Sequence, residues 1–277
     1  MDRRILTVQD LSCLGKCSLT VAMPILSACG HETCVLPTAL LSTHTGGFGP
    51  VHKRDLTDDM PEICSHWLGN GIAFDAVYSG YLGSLRQIQT VRHVFDTLVS
   101  PGGSRIVDPA MADHGKLYTG FDVPFVDEMK TLCAAADVIV PNVTEACLLT
   151  GTAYRETFDE RFIVELLEKL GEICPCVVLT GAAYEPGMTG VSVLENGRIW
   201  HHSHEKVEKS YHGTGDIFAA ALVGAWQRGK DLAEAVRIAS QYTLRCIQLT
   251  KDAPTRGYGV RFEAALPELI QMLEITA

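Results

Sequence analysis

Short apolar runs alternate along the chain with longer stretches whose apolar residues recur at helical spacing. Strands are predicted at residues 5–9, 33–41, 74–79, 105–107, 137–140 and 176–180. Helices are predicted at residues 19–29, 84–98, 160–170, 216–228 and 232–249. Strands alternating with helices of this length form β-α-β units. The pattern therefore predicts a three-layer α/β/α fold around a mostly parallel central sheet, with Pro37 interrupting its second strand.

The alternation changes near Gly190. Residues 190–194 and 198–202 read as two strands, and Asn196-Gly197 stands at the turn between them. Asn-Gly between two such runs is a strong signal for a β-hairpin. No Pro/Ser-rich linker or internal repeat divides the sequence, so residues 1–277 are predicted to form a single domain.

Polar or small residues follow most of the predicted strands. They are Gln9-Asp10, Ser79-Gly80, Asp108-Pro109, Asn142 and Thr180-Gly181. In open α/β sheets the ligand lies beyond the carboxyl ends of the strands. We therefore expect these residues to face one crevice.

Charge and composition narrow the classes of partner. The formal net charge is −10, and no block of five or more basic residues occurs. An acidic surface repels nucleic acid and anionic membranes, so neither is an expected partner. No apolar run reaches the length of about 18 residues that a membrane span needs, and the first residues lack a secretory apolar segment, which predicts a cytoplasmic protein.

The ten cysteines do not show the spacing of a metal site or of a disulfide framework. They are expected to be mostly small buried apolar residues.

The sequence contains two near matches to phosphate-binding motifs, and neither is complete. Residues 15–18 (GKCS) lack the glycine spacing of a P-loop, and the third glycine of a dinucleotide fingerprint starting at Gly213 is replaced by Phe218.

The segment at residues 209–222, KSYHGTGDIFAAAL, places Gly213, Thr214 and Gly215 directly before Asp216 and an apolar helix. Successive backbone N–H groups at a helix N-terminus form an anion site. Asp216 beside them has the chemistry to take a proton from an attacking hydroxyl. The alternative is that Asp216 is a helix N-cap. The positive end of the helix is expected to lower the pKa of Asp216.

The motif GTGDIFAAAL resembles the C-terminal signature of the ribokinase-like superfamily of small-molecule kinases. Four further segments resemble its pyridoxal kinase branch, in the right order: STHTGGFG (residues 42–49), SGYLGS (79–84), VDPAM (107–111) and PNVTEACLLTG (141–151). The resemblance spans residues 5 to about 250. It implies ATP-dependent phosphorylation of the 5′-hydroxymethyl group of a B6 vitamer.

The resemblance also implies roles for particular residues. Asp216 is the expected catalytic base, and the anion hole is expected at Gly213, Thr214 and Gly215. ATP and Mg²⁺ are expected at Asp108, Asn142, Glu145 and Thr180, with Asp108 and Glu145 nearest the metal. The expected substrate contacts are Asp10, Ser12, His44, Thr45 and Tyr81. The branch further implies a monovalent cation such as K⁺ and a homodimer.

Alternatives stay open at several of these positions. Without the resemblance, Glu145 reads as an exposed helix residue and His44 as a structural histidine. Better-known pyridoxal kinases follow the first strand with Gln-Ser, whereas this chain has Gln9-Asp10, and a carboxylate there suits an amine or ring N–H better than an aldehyde. This departure predicts a preference for pyridoxamine or pyridoxine.

Three other functions remain as alternatives to a B6 vitamer kinase. The protein could instead be a hydroxymethylpyrimidine kinase, a sugar kinase or a non-catalytic sensor of vitamer or nucleotide.

Overall fold

A computed structural model describes residues 2–207, 211–251 and 257–275 of the chain. Its strands within those ranges are β1 (Arg4–Ser12), β2 (Glu32–Leu41), β3 (Lys53–Asp55), β4 (Phe74–Ser79), β5 (Val99–Val107), β6 (Ala112–Asp113), β7 (Lys116–Leu117), β8 (Val138–Ile139), β9 (Cys176–Thr180), β10 (Met188–Glu195) and β11 (Arg198–Glu205). Nine of these described strands form one sheet in the order β11-β10-β9-β8-β5-β4-β1-β2-β3. Its six inner strands are parallel, and the antiparallel pairs lie at the two edges.

Helices cover both faces of the sheet. They are α1 (Leu19–Ala28), α2 (Asp59–Gly69), α3 (Leu85–Thr97), α4 (Val123–Ala134), α5 (Val143–Thr150), α6 (Glu160–Gly171), α7 (Thr214–Gln227), α8 (Leu232–Lys251) and α9 (Leu266–Met272). Buried residues of α2 to α6 form one apolar core with one face of the sheet, and those of α1 and α7 to α9 form another with the opposite face. Because both faces are covered, the inner strands read as continuous apolar runs.

The predicted three-layer, mostly parallel fold is confirmed, and every predicted strand and helix has a counterpart. The sequence pattern missed the helices α2, α4, α5 and α9, the edge strand β3 and the two-stranded ribbon of β6 and β7. It also made β5 too short, because Pro101 and two glycines interrupt that strand's apolar pattern. The hairpin of β10 and β11 forms as predicted, with Asn196 and Gly197 both at positive φ in the turn.

A register shift in the β1–β2 pair lies beside one predicted site residue. Gln9 pairs with Pro37, but Leu11 pairs with Leu40, so β2 carries an extra residue opposite Asp10. Proline has no N–H for the ladder and is found in sheets mainly at edges and irregularities. Such irregularities bend a strand and re-aim its side chains. Here the shift falls at the end of β1, where the chain leaves the sheet.

All ten cysteines are free, and most are buried as expected, although Cys13 is exposed. Among the described residues, no helix is both long and apolar enough to cross a membrane.

Candidate active site

A cleft of about 520 Å³ opens at the carboxyl ends of β5, β8 and β9. Its walls include the N-terminus of α7 and one face of α8. Eight of the predicted site residues line it: Asp108, Asn142, Glu145, Thr180, Gly213, Thr214, Gly215 and Asp216. The five predicted substrate contacts are not among the described residues that line this cleft, and they lie at the neighbouring ends of β1, β2 and β4.

The N-terminus of α7 presents free backbone N–H groups to the cleft. Gly213 is the N-cap, with φ 78°, and it has no side chain to accept a hydrogen bond. The first N–H groups of a helix have no partner within it, so those of Thr214 and Gly215 are open to an anion. Asp216 stands at the third helical position. The alternative that Asp216 caps the helix is therefore wrong, since Gly213 occupies that position.

The net direction of the pKa change at Asp216 is opposite to the one expected from the helix N-terminus alone. Burial, together with the charge of Asp10, raises the pKa of Asp216 to about 7. A hydrogen bond from the backbone of Ser18 lowers the pKa but does not offset burial. The low-dielectric surroundings penalise the charged form more than the helix N-terminus favours it. A carboxyl group with this pKa is a competent general base near neutral pH.

Glu145 is a buried helix-capping residue, with 2% of its surface exposed, so its interpretation as an exposed helix residue is wrong. Its side chain and that of Asn142 form a reciprocal capping box at the start of α5. Glu145 Oε2 accepts from the Asn142 backbone N–H at 2.8 Å, and its Oε1 accepts from the Met111 N–H at 3.1 Å. Asn142 Nδ2 donates to the Ala112 carbonyl at 2.9 Å. The motif PNVTE thus fixes the chain that follows Asp108.

Three carboxyl groups at this end of the cleft, those of Asp108, Glu145 and Asp216, lie close enough to repel one another in two pairs. Burial raises the pKa of Asp108, and the charge of Asp216 raises it further. Burial also raises the pKa of Glu145, and there the additional charge is that of Asp108. A divalent cation close to these groups would relieve both effects.

The described part of the chain contains no cluster of three or more His, Cys, Asp or Glu side chains that could enclose a metal ion. Mg²⁺ commonly keeps several waters and binds through one or two carboxylates together with substrate phosphates. The residues present fit that kind of site. Asp108 is the better direct ligand, because Glu145 already accepts backbone hydrogen bonds on both oxygens.

A second polar group lies beside Asp216 at the end of β1. Asp10 is 6% exposed, and its Oδ2 accepts from Ser12 Oγ at 3.2 Å. Cys17 Sγ lies 3.7 Å from Ser12 Oγ. Burial, together with the charges of Asp216 and Asp10, raises the pKa of Cys17 to about 12, so the thiol is neutral at physiological pH. Asp10 and Asp216 therefore approach the same space from β1 and α7.

Tyr81 lies close enough to Asp10 for that charge to raise its pKa, after burial as the larger cause. Its ring packs against Phe121 with centroids 5.7 Å apart and an interplanar angle of 30°. The Phe121 ring in turn stacks on Phe125 at 3.9 Å. The aromatic surface predicted for a bound ring is thus braced by two further rings.

His44 and Thr45 lie in the loop after β2. The His44 imidazole is 6% exposed, and neither ring nitrogen has a hydrogen-bond partner among the described residues. It contacts Phe48 at 5.1 Å and His212 at 5.4 Å between ring centroids. Burial lowers the pKa of His44, and His212 lowers it further. Thr45 is exposed in the same loop.

The loop after β1 is anchored by the C-terminal part of the chain. Lys16 Nζ lies 2.8 Å from Glu263 Oε2 and 5.7 Å from the centre of the Phe262 ring. The Lys16 carbonyl also packs directly against Gly213. Two residues on, Ser18 has φ 49°, which is rare for a residue with a side chain, while its backbone bonds Asp216. Strain of this kind persists where the surroundings fix the chain.

Sequence reasoning missed several residues of the cleft. The face of α8 that lines it consists of Ser240, Thr243, Leu244 and Ile247. Their i, i+3, i+4, i+7 spacing marks one helix face but does not distinguish a cleft from a core. His212 was also missed, although it directly precedes the glycine motif.

The fold and the cleft define a class. An α/β/α sandwich with a glycine-capped helix N-terminus, a carboxyl group beside it and acidic residues at the strand ends belongs to the ribokinase-like small-molecule kinases. The phosphomethylpyrimidine kinase family model matches residues 25–261, and the chain belongs to this family.

Named relatives support the resemblance to pyridoxal kinases. The chain is 28% identical to a pyridoxine/pyridoxal/pyridoxamine kinase of Bordetella pertussis, covering 90% of each sequence. A pyridoxal kinase structure from Lactobacillus plantarum has a TM-score of 0.90 at 32% identity, covering 98% of each chain. A Bacteroides thetaiotaomicron protein, provisionally named a phosphomethylpyrimidine kinase and crystallised with pyridoxal, has a TM-score of 0.91 at 37% identity; the match covers 97% of this chain and 96% of that one. The resemblance read from the sequence motifs is thereby confirmed.

Proposed function

We propose that this protein transfers the terminal phosphoryl group of ATP to the 5′-hydroxymethyl group of a B6 vitamer. The observation that carries the proposal is the Asp216 carboxyl group, whose pKa of about 7 suits a general base, beside the free N–H groups of α7. The names of the Bordetella and Lactobacillus relatives support the choice of substrate.

The proposed reaction has one bond-making and one bond-breaking event. The hydroxymethyl oxygen attacks the terminal phosphorus, and the bond from that phosphorus to the bridging oxygen of ADP breaks. Asp216 takes the hydroxyl proton, and the N–H groups of Thr214 and Gly215 bind the charged phosphoryl oxygens. Because the transition state is loose, the main tasks of the protein are to position the two reactants and to exclude water.

Mg²⁺ is part of the proposal. When bound, it neutralises charge on the phosphates and orients them. Asp108 would hold it, through water or directly, while Glu145 and Asn142 fix the surrounding backbone. Thr180, at the end of β9, is proposed to contact the phosphates from the opposite wall. Binding of K⁺ stays a prediction from the resemblance.

The acceptor is proposed to bind beside Asp10, Ser12, His44, Thr45 and Tyr81. The ring would lie near Tyr81, and Asp10 would pair with a cationic amine or a ring N–H. A buried carboxylate gains most from a charged, hydrogen-bonded partner. We therefore expect pyridoxamine or pyridoxine to be used better than pyridoxal.

One assay tests the activity and the substrate class together. The purified protein is supplied with Mg-ATP and, separately, with pyridoxal, pyridoxamine, pyridoxine, hydroxymethylpyrimidine or ribose, and ADP release is measured. Turnover of the vitamers is expected. Turnover of ribose alone would overturn the B6 assignment, and nucleotide binding without any turnover would indicate a sensor.

An Asp10→Asn variant tests the vitamer preference. Loss of the charge is expected to lower kcat/KM for pyridoxamine about tenfold relative to pyridoxal, which corresponds to about 1.4 kcal/mol. An unchanged ratio between the two vitamers would remove Asp10 from substrate selection.

Phosphorylation of hydroxymethylpyrimidine is a second candidate function, favoured by the family to which the chain belongs. The vitamer panel distinguishes the two, because kcat/KM ranks the competing acceptors directly. A homodimeric assembly and a cytoplasmic location stay predictions.

A further inference from the structure

The cleft is short of positive charge for the ligand proposed to bind there. Among the described residues that line it are four carboxyl groups and three histidines, but no lysine or arginine: Asp108, Asp113, His114, Glu145, His204, His212 and Asp216. A nucleoside triphosphate adds several negative charges. Phosphoryl-transfer sites usually set cationic or N–H donors against the transferring group. Besides Mg²⁺, the α7 N-terminus and the hydroxyl and amide groups of the lining, the described walls offer these three imidazoles as side-chain ring donors.

The three histidines hold different positions along the cleft. His114 lies in the turn between β6 and β7, and His204 lies near the end of β11. His212 directly precedes Gly213, the N-cap of α7. Of the three, His212 is therefore the one whose backbone is continuous with the free N–H groups proposed to bind the transferring phosphoryl.

His212 also reaches the group proposed to bind the acceptor. Its ring lies 5.4 Å from that of His44, at an angle of 62°. The edge of the His212 ring lies against the Gly46 backbone. If residue 46 carried a Cβ atom, that atom would lie only 3.1 Å from His212 Nε2 and Cε1. His212 thus lines the nucleotide cleft and touches the loop after β2. The terminal phosphorus and the acceptor oxygen must meet at this junction.

The exposure of the two imidazoles distinguishes their roles. His44 is buried with both ring nitrogens enclosed. The His212 side chain is exposed at the cleft, so a ligand can reach its ring. An imidazole N–H donates a hydrogen bond whether the ring is neutral or protonated.

We propose that His212 is a catalytic residue whose imidazole N–H donates to a non-bridging oxygen of the phosphoryl group during transfer, alongside the N–H groups of Thr214 and Gly215. This role rests on the proposed kinase function. His212 supplies a hydrogen bond and is not consumed, so the proton still passes from the acceptor hydroxyl to Asp216. Its contribution is greatest in the transition state, when negative charge on the transferring group is redistributed.

His212→Ala tests the role, since the exposed side chain leaves space that a small molecule can enter. We expect kcat to fall about 10²- to 10³-fold, the range for loss of one hydrogen-bond donor to the charge of a transition state. Dissociation constants for ADP and for the vitamer, measured by calorimetry, are expected to change less than about threefold. Added imidazole is expected to restore part of the lost rate, with saturation. His66, exposed on α2 and away from the cleft, provides the control. The His66→Ala variant should keep the wild-type kcat, and added imidazole should not alter it.

His212→Asn is the second variant, because the amide is a smaller donor that keeps part of the interaction. Its kcat is expected to lie between those of wild type and His212→Ala. A wild-type kcat in His212→Ala overturns the proposal. So does a loss of rate that neither imidazole nor the Asn variant recovers, since a purely structural role predicts that result. Wild-type turnover is measured first, so failure of the kinase function itself appears as no turnover in any variant.

Discussion

Replacing Asp216 by Asn is expected to stabilise the protein while removing its activity. The side chains have nearly the same shape, and Asn keeps an oxygen to accept the backbone hydrogen bond of Ser18. What changes is the charge. In the folded protein burial raises the pKa of Asp216 from 3.8 to about 7. The folded state therefore binds more protons than the unfolded state between about pH 4 and pH 7, and the stability of the wild type falls as pH rises through that window.

The magnitude follows from the size of the pKa change. About 3 pH units at about 1.36 kcal/mol each give a penalty of about 4 kcal/mol above pH 7. Asp216 faces an open cleft, and solvent there reduces the penalty to about 2 kcal/mol. Loss of its charge also relieves Asp108, whose pKa Asp216 helps to raise. Loss of the buried charge at Asp216 and relief of Asp108 both raise the free energy of unfolding of the variant.

The assay is urea unfolding of wild type and Asp216→Asn at pH 5, 6, 7 and 8, without nucleotide or metal. The stability advantage of the variant is expected to grow by about 1–3 kcal/mol from pH 5 to pH 8. Asp96→Asn, exposed on α3, is the matched control and should show no such trend. In the same variant kcat is expected to fall about 10²- to 10⁴-fold, the range for loss of a general base. A pH-independent stability difference would refute the reasoning about burial, and a wild-type kcat would refute the role as base.

Three further results are expected. In the wild type, kcat/KM should fall about tenfold per pH unit below about pH 7, where Asp216 becomes protonated, and a flat profile down to pH 5.5 would contradict this. Gly213→Ala should lower the free energy of unfolding by more than about 2 kcal/mol, because φ is 78° and the new carbon meets the Lys16 carbonyl, whereas Gly215→Ala has open space and should unfold like wild type. Glu145→Ala should cost about 1–3 kcal/mol in urea unfolding by leaving buried backbone N–H groups without an acceptor, and an unchanged midpoint would contradict that.

Local sequence signals predicted the parts of the site that sheet geometry assembles. Asp108 and Asn142 follow β5 and β8, and Thr180 ends β9; the three strands are adjacent and parallel, so the proximity of these residues follows from the order of the strands. The capping box of Asn142 and Glu145 is likewise a short-range pattern.

Local sequence patterns do not predict contacts between loops that are far apart in the chain. The bond from Ser18 to Asp216 joins residues almost two hundred positions apart, and the contact of His44 with His212 joins residues more than 160 positions apart. The pKa of Asp216 was predicted in the wrong direction because the sequence shows the helix N-terminus but not the burial around it. Burial is a property of the whole fold, and here it exceeds the local effect.

The anchoring of Lys16 has a consequence for how the protein is made. The three neighbouring parallel strands β1, β4 and β5 are all complete by residue 107, but Lys16 finds its partners only at residues 213 and 262–263. A chain growing on the ribosome therefore carries the loop of Cys17 and Ser18 without these supports until most of the sequence has emerged. A chain that ends before residue 263 lacks the salt bridge that holds Lys16 beside the loop of Ser18, whose backbone bonds Asp216.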